Sequence, residues 1–374
     1  MPTYLDLSKP LRIHFIGIGG ISMSALALIL LQRSWQVSGS DLKQSTLTDK
    51  LTANGATVYF GHQAANIEGA QAIVYTSAIP PDNIELVTAH AKHIPIFTRA
   101  ELLGALMAEA KCGIAVAGSH GKTTTTAMIG LMLDYAQLEP TVLVGGDLEA
   151  IRGNVKVGNG GYLVAEACEY FDNFLVLKPL IGIITNIDSD HLDYFRDLAT
   201  IKQAFRNFAA LIPPQGHLVA LYDDANVRDI LSGLECQVVT FGLADGADWQ
   251  AVNIELQPGG SSFDVLHQGA PLARISLRVP GIHNIQNALA TIATGHIAGL
   301  STENIVCSFA HYQGTHRRFD LQGTYHGAIV YDDYAHHPTE IRATLAAART
   351  FRPQRLISVF QPHTYTRTRA LLQQ

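Results

Sequence analysis

A short polar run between a predicted strand and a predicted helix has the residue types of a phosphate-binding loop. The run Ala117-Gly118-Ser119-His120-Gly121-Lys122-Thr123-Thr124 follows the apolar stretch 113–116 and precedes a helical pattern at 125–133. In this arrangement, backbone N–H groups and the helix dipole hold phosphates, the lysine adds a positive charge, and a hydroxyl reaches Mg²⁺. The loop is shorter than a Walker loop, because Val116 stands where the first glycine would be. We predict a nucleoside triphosphate site here, with an incidental glycine turn as the alternative.

Two further groups of polar residues follow predicted buried strands. Glu166 ends the apolar run 162–165, and Asp188-Ser189-Asp190-His191 follows the run 181–187. Open α/β sheets bind ligands at the carboxyl ends of their parallel strands, so these groups should lie near the phosphate loop. Glu166 and His191 are therefore candidate Mg²⁺ ligands. The alternatives are a surface salt bridge for Glu166 and a helix cap for His191.

The N-terminal segment contains a second glycine turn. A predicted strand at 12–16 leads into Gly17-Ile18-Gly19-Gly20-Ile21-Ser22, a predicted helix at 23–32 and a second strand that ends at Asp41. This is similar to a dinucleotide-binding fingerprint, with Ser22 in place of the third glycine. Taken alone, the turn would favour an NAD-dependent oxidoreductase, which leaves Lys122 and the candidate Mg²⁺ ligands unexplained.

Composition and charge limit the classes of protein that fit. The chain has 374 residues, 47% of them apolar and 16% charged, which indicates a soluble globular protein of two or three domains. Its net charge of −6 and the absence of a Lys/Arg-rich run argue against a nucleic-acid partner. Residues 1–10 lack a signal pattern, and no apolar run is long enough to cross a bilayer. We therefore expect a cytoplasmic protein without a membrane partner.

Predicted strands alternate with helices along the chain, which indicates an α/β fold. We predict three domains, at 1–107, 108–313 and 314–374, and an antiparallel region with a hairpin turn at Gly259-Gly260 in the second. In the third we predict a strand at 328–331, a helix from Pro338 to about Arg349 and a strand at 355–360. Two strands are too few for an independent open sheet, so we expect this domain to be incomplete.

Three other groups of residues are ambiguous by themselves. Asn284 and Asn287 lie three apart on one predicted helix face, where they could bind a nucleotide or cap the helix. Arg317-Arg318 could clamp a γ-phosphate or lie in solvent. His336-His337 has no further ligand at the spacing of a zinc site.

Taken together, these motifs resemble those of the Mur ligases, the ATP-dependent ligases of bacterial cell-wall precursor synthesis. The motifs occur in family order along essentially the whole chain: Gly17–Gly20, Gly118–Thr126, Ala165–Tyr170, Thr185–Asp193, Gly281–Ala290, Arg317–Phe319, Asp332–Glu340 and Gln361–Arg369. The last two resemble the branch of the family that adds the first amino acid, L-alanine, to UDP-N-acetylmuramate.

The resemblance implies a fold and a reaction. The fold is a Rossmann-like N-terminal domain, a central P-loop ATPase-like domain with a mostly parallel sheet and a small antiparallel one, and a partial Rossmann-like C-terminal domain. In the reaction, ATP phosphorylates the lactyl carboxylate of UDP-N-acetylmuramate, and the amine of L-alanine attacks the acyl phosphate. ATP and Mg²⁺ are the expected cofactors, and the two small molecules are the expected partners.

The resemblance also implies roles for individual residues. Those expected to contact ATP are Gly118, Ser119, His120, Gly121, Lys122, Thr123, Thr124, His283, Asn284, Asn287, Arg318 and Asp333. Those expected to hold two Mg²⁺ ions are Thr123 and Glu166 for one and His191 for the other. Those expected to bind substrates are Gly17, Gly19, Gly20, Ser22, Asp41 and Ser77 for the UDP-sugar, and Tyr334 and Arg367 for the amino acid. Lys122, His191 and Arg318 are expected to be catalytic.

Three positions depart from the family pattern, and two other functions remain open. Ser119 replaces the commoner threonine, Cys168 replaces an acidic residue, and Thr364 stands where many relatives have arginine. One alternative is the recycling ligase that attaches a preformed peptide to the same sugar nucleotide, against which Gln361-Pro362-His363 argues. The other is a non-catalytic fragment that only binds UDP-sugar and ATP.

Overall fold

The computed structural model describes residues 5–362 and 364–372, and these residues form two compact units. The first unit consists of the described residues up to Lys111 together with Val176–Lys178. The second consists of Cys112–Leu175 and the described residues from Pro179 onward, so the segment after Gly314 belongs to it. The domain boundaries at 107/108 and 313/314 stay predictions.

The first unit is an open α/β sheet with five parallel strands in the order β3-β2-β1-β4-β5. Its elements are β1 (Arg12–Ile16), α1 (Ile21–Gln32), β2 (Gln36–Asp41), α2 (Thr46–Ala53), β3 (Thr57–Phe60), β4 (Ala72–Tyr75), α3 (Ile84–Ala91), β5 (Ile96–Thr98) and α4 (Arg99–Glu109). The central strand β1 is buried from Ile13 to Ile16, where His14 is the one polar side chain among three apolar ones, as expected for a parallel strand covered on both faces.

The second unit has a larger sheet of ten strands in the order β15-β14-β13-β12-β11-β10-β6-β9-β7-β8. Its elements are β6 (Cys112–Ala117), α5 (Lys122–Tyr135), β7 (Thr141–Leu148), β8 (Gly153–Lys156), β9 (Tyr162–Glu166), β10 (Ile181–Ile184), α6 (Leu198–Ala209), β11 (His217–Leu221), α7 (Ala225–Asp229), β12 (Gln237–Gly242), β13 (Trp249–Gln257), β14 (Gly260–His267), β15 (Ala270–Leu277), α8 (Ile282–Ile297), α9 (Thr302–Ser308), β16 (Asp320–Tyr325), β17 (Ala328–Asp332), α10 (Pro338–Arg349) and α11 (Tyr365–Leu371).

The order of strands confirms a mostly parallel sheet with an antiparallel part. Strands β7, β9, β6, β10, β11, β12 and β13 pair in parallel, whereas β13, β14 and β15 form an antiparallel meander. Helices α5 and α8 are buried along most of their length, and their apolar side chains lie in the main core, where burial drives their packing. This core holds the start of α5, and with it the phosphate loop, in a fixed position.

The C-terminal part of the second unit confirms one predicted element and corrects another. Helix α10 spans Pro338–Arg349 as predicted, with Pro338 at its first position and His337 and Glu340 forming a capping box. The strand predicted at 355–360 is wrong, because no described strand pairs with this segment, and Val359 is 95% exposed. Strands β16 and β17 pair only with each other among the described residues.

No helix in the described ranges is long and apolar enough to cross a membrane.

Candidate active site

The loop between β6 and α5 has the geometry that its sequence predicts. Gly118 and Gly121 have φ values of +137° and +85°, a region that favours glycine. A Cβ atom at Gly118 would lie 1.9 Å from the hydroxyl oxygen of Thr185, so the loop has no room for a side chain there. Asn186 accepts hydrogen bonds from the backbone N–H groups of Ser119, through its carbonyl, and of His120, through its side chain. The segment after β10 therefore holds the loop against the sheet edge.

Lys122 lies over this loop as a charged ammonium group. Its Nζ donates hydrogen bonds to the carbonyl oxygens of Gly118 (2.5 Å) and Ser119 (3.2 Å) and to the carboxylate of Glu169 (3.0 and 3.2 Å). Burial would lower the pKa of Lys122, but the nearby carboxylate of Glu169 outweighs it and raises the pKa. Sequence reasoning missed Glu169. Its position inside the run Ala165–Tyr170, three residues after Glu166, is the signal that could have identified it.

The predicted metal ligands surround the same lysine. The carboxylate of Glu166 accepts a hydrogen bond from the N–H of Gly145 (2.5 Å), and Thr123 is buried in the first turn of α5. His191 has a left-handed φ of +52°, its ring stacks on Tyr170 at 4.5 Å, and its Nε2 lies 3.8 Å from the carboxylate of Glu169.

Carboxylate oxygens, a hydroxyl and one imidazole suit Mg²⁺. Among the described residues, Glu166, Glu169 and His191 do not form one close ligand group. This spacing is compatible with two separate ion positions, and the assignment of Thr123, Glu166 and His191 to Mg²⁺ stays a prediction.

A cleft of about 390 Å³ opens beside the loop. Its apolar walls include Leu221, Phe241 and Val279, a lining typical of a site for a flat ring. The predicted ATP-contacting residues that line it are His120, Gly121, Thr123, Thr124, His283, Asn284, Asn287, Arg318 and Asp333. The cleft therefore brings together residues from the loop, from α8 and from the segment around β17.

The two asparagines of α8 are tied to the protein rather than free in the cleft. Asn287 accepts from the hydroxyl of Thr125 (3.2 Å) and donates to Asn284 (3.3 Å), which in turn donates to the carbonyl of Pro280 (2.7 Å). A Cβ atom at Gly121 would lie 2.6 Å from the Asn287 Oδ1, so α8 packs directly on the phosphate loop. The neighbouring His283 is neutral near pH 7, because burial, aided by the charge of Arg318, lowers its pKa to about 4.

His120 connects the phosphate loop with the C-terminal segment. Its Nε2 lies 3.3 Å from Asp188 and its Nδ1 lies 3.3 Å from Glu340, at the first turn of α10. Burial would lower the pKa of His120, but the hydrogen bonds with these two carboxylates outweigh it and raise the pKa to about 9. Arg318 also lies 3.7 Å from Glu340, so a loop cation and a C-terminal cation share one carboxylate. Sequence reasoning missed Glu340, although it lies in the quoted run Asp332–Glu340.

Asp333, Tyr334 and Arg367 lie in different surroundings. The carboxylate of Asp333 accepts N–H bonds from Phe319 and Ala335, and burial raises its pKa. The guanidinium groups of Arg317 and Arg318 lie 5.0 and 5.5 Å from the ring centre of Tyr334.

Arg367 faces the loop that carries His191. It donates to one oxygen of Asp190 through Nε (3.0 Å) and Nη2 (2.8 Å). Arg367, Thr364, Tyr170 and His191 line a second cavity of about 440 Å³, which Tyr334 does not line. His363 lies outside the described residues.

The glycine turn of the first unit forms hydrogen bonds with the end of β2, including the carboxylate of Asp41. Gly17, with φ of +83°, donates its N–H to the carbonyl of Ser40 (2.8 Å), and Gly19 donates to the carboxylate of Asp41 (2.8 Å). Gly20 precedes α1 and Ser22 lies in its first turn, while Ser77 is exposed just after β4. The six predicted UDP-sugar residues therefore follow the carboxyl ends of β1, β2 and β4, at one edge of the sheet.

The chain matches three protein-family models along most of its length. They are described as "Mur ligase family, catalytic domain" at residues 12–111, "Mur ligase middle domain" at 116–295 and "Mur ligase, glutamate ligase domain" at 317–374. A UDP-N-acetylmuramate–L-alanine ligase of Caldanaerobacter subterraneus subsp. tengcongensis is 51% identical over 369 residues, which are 98% of this chain and 80% of the relative. The chain belongs to the Mur ligase family.

Solved structures of other family members are similar to this Mur ligase in fold. The UDP-N-acetylmuramate–alanine ligase of Thermotoga maritima has a TM-score of 0.82 at 31% identity, with 97% of this chain and 83% of the other covered. A murein peptide ligase of Psychrobacter arcticus has a TM-score of 0.78 at 27% identity, with 92% and 77% covered. The fold of this Mur ligase is therefore the three-domain fold that the motifs imply.

Proposed function

We propose that this Mur ligase joins L-alanine to the lactyl carboxylate of UDP-N-acetylmuramate, with ATP as the phosphate donor and Mg²⁺ as the cofactor. The observation that carries the proposal is the 51% identity, over almost the whole chain, with a ligase named for these two substrates. The reaction belongs to peptidoglycan precursor synthesis, and because it uses ATP and a sugar nucleotide, we place it in the cytoplasm.

The reaction begins with an electrostatic problem. The lactyl carboxylate must attack the γ-phosphate of ATP, although both groups are anions. The ammonium of Lys122, held over the loop by Gly118 and Ser119, supplies a fixed positive charge at that point. Mg²⁺, when bound, neutralises phosphate charge and orients the transferring group. The oxygen donors of Thr123 and Glu166 and the imidazole of His191 are the side chains that would hold it.

The second half of the reaction is an amine transfer. The amine of L-alanine attacks the acyl phosphate, and the tetrahedral intermediate expels phosphate. We assign Arg367 to the α-carboxylate of L-alanine, because it lines the cavity beside His191 and presents a planar donor fork. We assign Tyr334 to the same substrate on the family resemblance alone, since it does not line that cavity.

We assign the remaining predicted residues by their place in the two units. Four loop residues, His120, Gly121, Thr123 and Thr124, line the cleft together with His283, Asn284, Asn287, Arg318 and Asp333. With the rest of the loop 118–124, they would bind ATP. The glycine turn 17–20 of the first unit, with Ser22, Asp41 and Ser77, would bind the UDP diphosphate through backbone N–H groups at the start of α1.

A recycling ligase that attaches a preformed peptide is the second candidate. The similarity to the murein peptide ligase, with a TM-score of 0.78, favours it. Among the solved structures, the UDP-N-acetylmuramate–alanine ligase of Thermotoga maritima has both the higher identity, 31% against 27%, and the higher TM-score, 0.82 against 0.78, which favours our proposal.

The deciding experiment measures phosphate release with UDP-N-acetylmuramate and ATP, adding L-alanine, L-serine, glycine or a tripeptide in turn. We expect release and a ligated product with L-alanine. Product with the tripeptide alone would assign the protein to the recycling branch, and binding of both nucleotides without any product would leave only a binding protein. As a control, Lys122→Ala should abolish acyl-phosphate formation and retain UDP-N-acetylmuramate binding, because Lys122 lies in the second unit.

A further inference from the structure

Three side chains, two of which line the cleft beside the phosphate loop, form a close group with the residue types of a metal site. The ligand atoms of His120, Asp188 and His337 all lie within 4.8 Å of one another. His120 Nε2 lies 3.3 Å from Asp188 Oδ2, and His337 Nδ1 lies 3.6 Å from the same oxygen. None of these three residues is a predicted Mg²⁺ ligand, and only His120 is among the residues predicted to contact ATP.

The spacing of these atoms suits a tetrahedral ion. Zn²⁺ binds imidazole nitrogen and carboxylate oxygen at about 2.1 Å, so two ligand atoms of a tetrahedral site lie roughly 3.4 Å apart. The two measured separations of 3.3 and 3.6 Å fall on either side of that value. The three ligand atoms all lie within 4.8 Å of one another, so an ion can bind once the side chains close to the tetrahedral spacing and His120 gives up its proton.

The second nitrogen of each imidazole already has an acceptor. His120 Nδ1 lies 3.3 Å from Glu340 Oε1, and His337 Nε2 lies 3.3 Å from the carbonyl oxygen of Ser189. In metal sites, a carboxylate or backbone carbonyl usually accepts the N–H of a ligating histidine, which fixes the tautomer and turns the other nitrogen toward the ion. His120 is turned in this way toward Asp188, whereas His337 Nδ1, 3.6 Å from Asp188, also accepts the N–H of Thr339.

We propose that His120, Asp188 and His337 bind a divalent transition-metal ion of the zinc class, at a site separate from the Mg²⁺ positions. Two imidazoles and one carboxylate favour Zn²⁺, Co²⁺ or Ni²⁺ over Mg²⁺, which prefers an all-oxygen shell. The three ligands come from the phosphate loop, from the segment after β10 and from the residue before α10. Bound metal therefore ties the phosphate loop to the C-terminal segment at the wall of the cleft, which His120 and Asp188 line.

The ion must compete with two contacts of Thr339. The N–H of Thr339 donates to His337 Nδ1 (3.3 Å), and its hydroxyl donates to Asp188 Oδ2 (2.7 Å). The first bond is lost when the ion binds, whereas Asp188 can keep the second because a carboxylate oxygen has more than one acceptor position.

The test is a titration of the protein, without a histidine tag, with Co²⁺ and with Zn²⁺ in the presence of excess Mg²⁺ and no nucleotide. We expect one Co²⁺ per chain with the visible absorption bands of a tetrahedral ion, and their displacement by Zn²⁺. His337→Gln and Asp188→Asn should each weaken binding by about tenfold or more. The matched control His336→Gln and the variant His191→Gln should retain the bands.

Two results would overturn the proposal. One is the absence of a tetrahedral Co²⁺ spectrum at one ion per chain in the wild-type protein. The other is a spectrum that survives in both His337→Gln and Asp188→Asn or that disappears in His191→Gln. Far-ultraviolet circular dichroism identifies any variant that fails to fold, and the other variant of the pair then decides.

Discussion

The pairing of Lys122 with Glu169 predicts a large energetic coupling between these two residues. We consider Lys122→Met, Glu169→Gln and the double variant, all without nucleotide. The Glu169 side chain is only 2% exposed and the Lys122 side chain 16% exposed, so water solvates neither charge well.

The structure sets the expected magnitudes. At the Nζ–Oε2 distance of 3.0 Å, an effective dielectric constant of about 20 gives a gross attraction of about 5 kcal/mol. Lys122→Met leaves the Glu169 carboxylate buried without its cation, which should lower the free energy of unfolding by about 3–5 kcal/mol. Adding Glu169→Gln removes that charge, so the double variant should recover about 2 kcal/mol or more. The two lysine–carbonyl hydrogen bonds are lost in both proteins and cancel in the cycle.

The assay can follow the second unit alone. The chain has two tryptophans, Trp35 in the first unit and the buried Trp249 in the second. With Trp35→Phe in all four proteins, urea unfolding followed by fluorescence reports on Trp249. A double variant as unstable as Lys122→Met, or a coupling below about 0.5 kcal/mol, would show that the buried ion pair does not exist.

Three further predictions concern other parts of the molecule. Gly118→Ala should abolish ATP binding in calorimetry, because the new Cβ atom would lie 1.9 Å from the hydroxyl oxygen of Thr185. The control Gly269→Ala, also at positive φ but with no atom within 4 Å of the new Cβ, should bind ATP normally. Burial would raise the pKa of Glu85, but His14 and hydrogen bonds from its polar neighbours lower this pKa from 4.5 to about 2. The contribution of the Glu85 carboxylate to the free energy of unfolding is therefore complete above pH 4.5 and disappears as the pH falls toward 2. Wild type should lose about 3 kcal/mol more than Glu85→Gln over that interval in urea titrations, and equal losses would contradict this. Arg367→Lys, which lacks the guanidinium that binds Asp190 through two nitrogens, should raise the KM for L-alanine about tenfold and leave the KM for ATP unchanged in steady-state assays.

Elements with strong local signals were predictable from the sequence. Helix α10 begins at Pro338 and ends at Arg349 as predicted, because a proline at the first helical position and a capping box are local features. The segment 355–360 shows the opposite case. Its apolar residues favour a strand, but a strand forms only when a neighbour pairs with it, and pairing is not a local property.

The site divides in the same way. The loop 118–124 is continuous in the sequence, so its motif alone predicts the glycine turn, in which Gly118 and Gly121 have positive φ values. Glu169 and Glu340 act through contacts with residues that are distant along the chain, the first with Lys122 and the second with His120. The local sequence around a glutamate does not indicate which cation will pair with it, so these partners could be identified only from the folded chain.

These partners imply how a nucleotide must bind. Four cations beside the proposed substrate sites lie near carboxylates: Lys122 near Glu169, His120 between Asp188 and Glu340, Arg318 near Glu340, and Arg367 on Asp190. Such pairing lowers the cost of burying each charge before substrate arrives. An incoming polyphosphate therefore has to exchange with a carboxylate that already holds the cation. On the proposed function, Mg²⁺ would assist this exchange, because it would bring positive charge that the displaced carboxylate can face. Since binding and neutralisation of the carboxylates are coupled in this way, ATP without Mg²⁺ should bind far more weakly than its size and charge alone suggest.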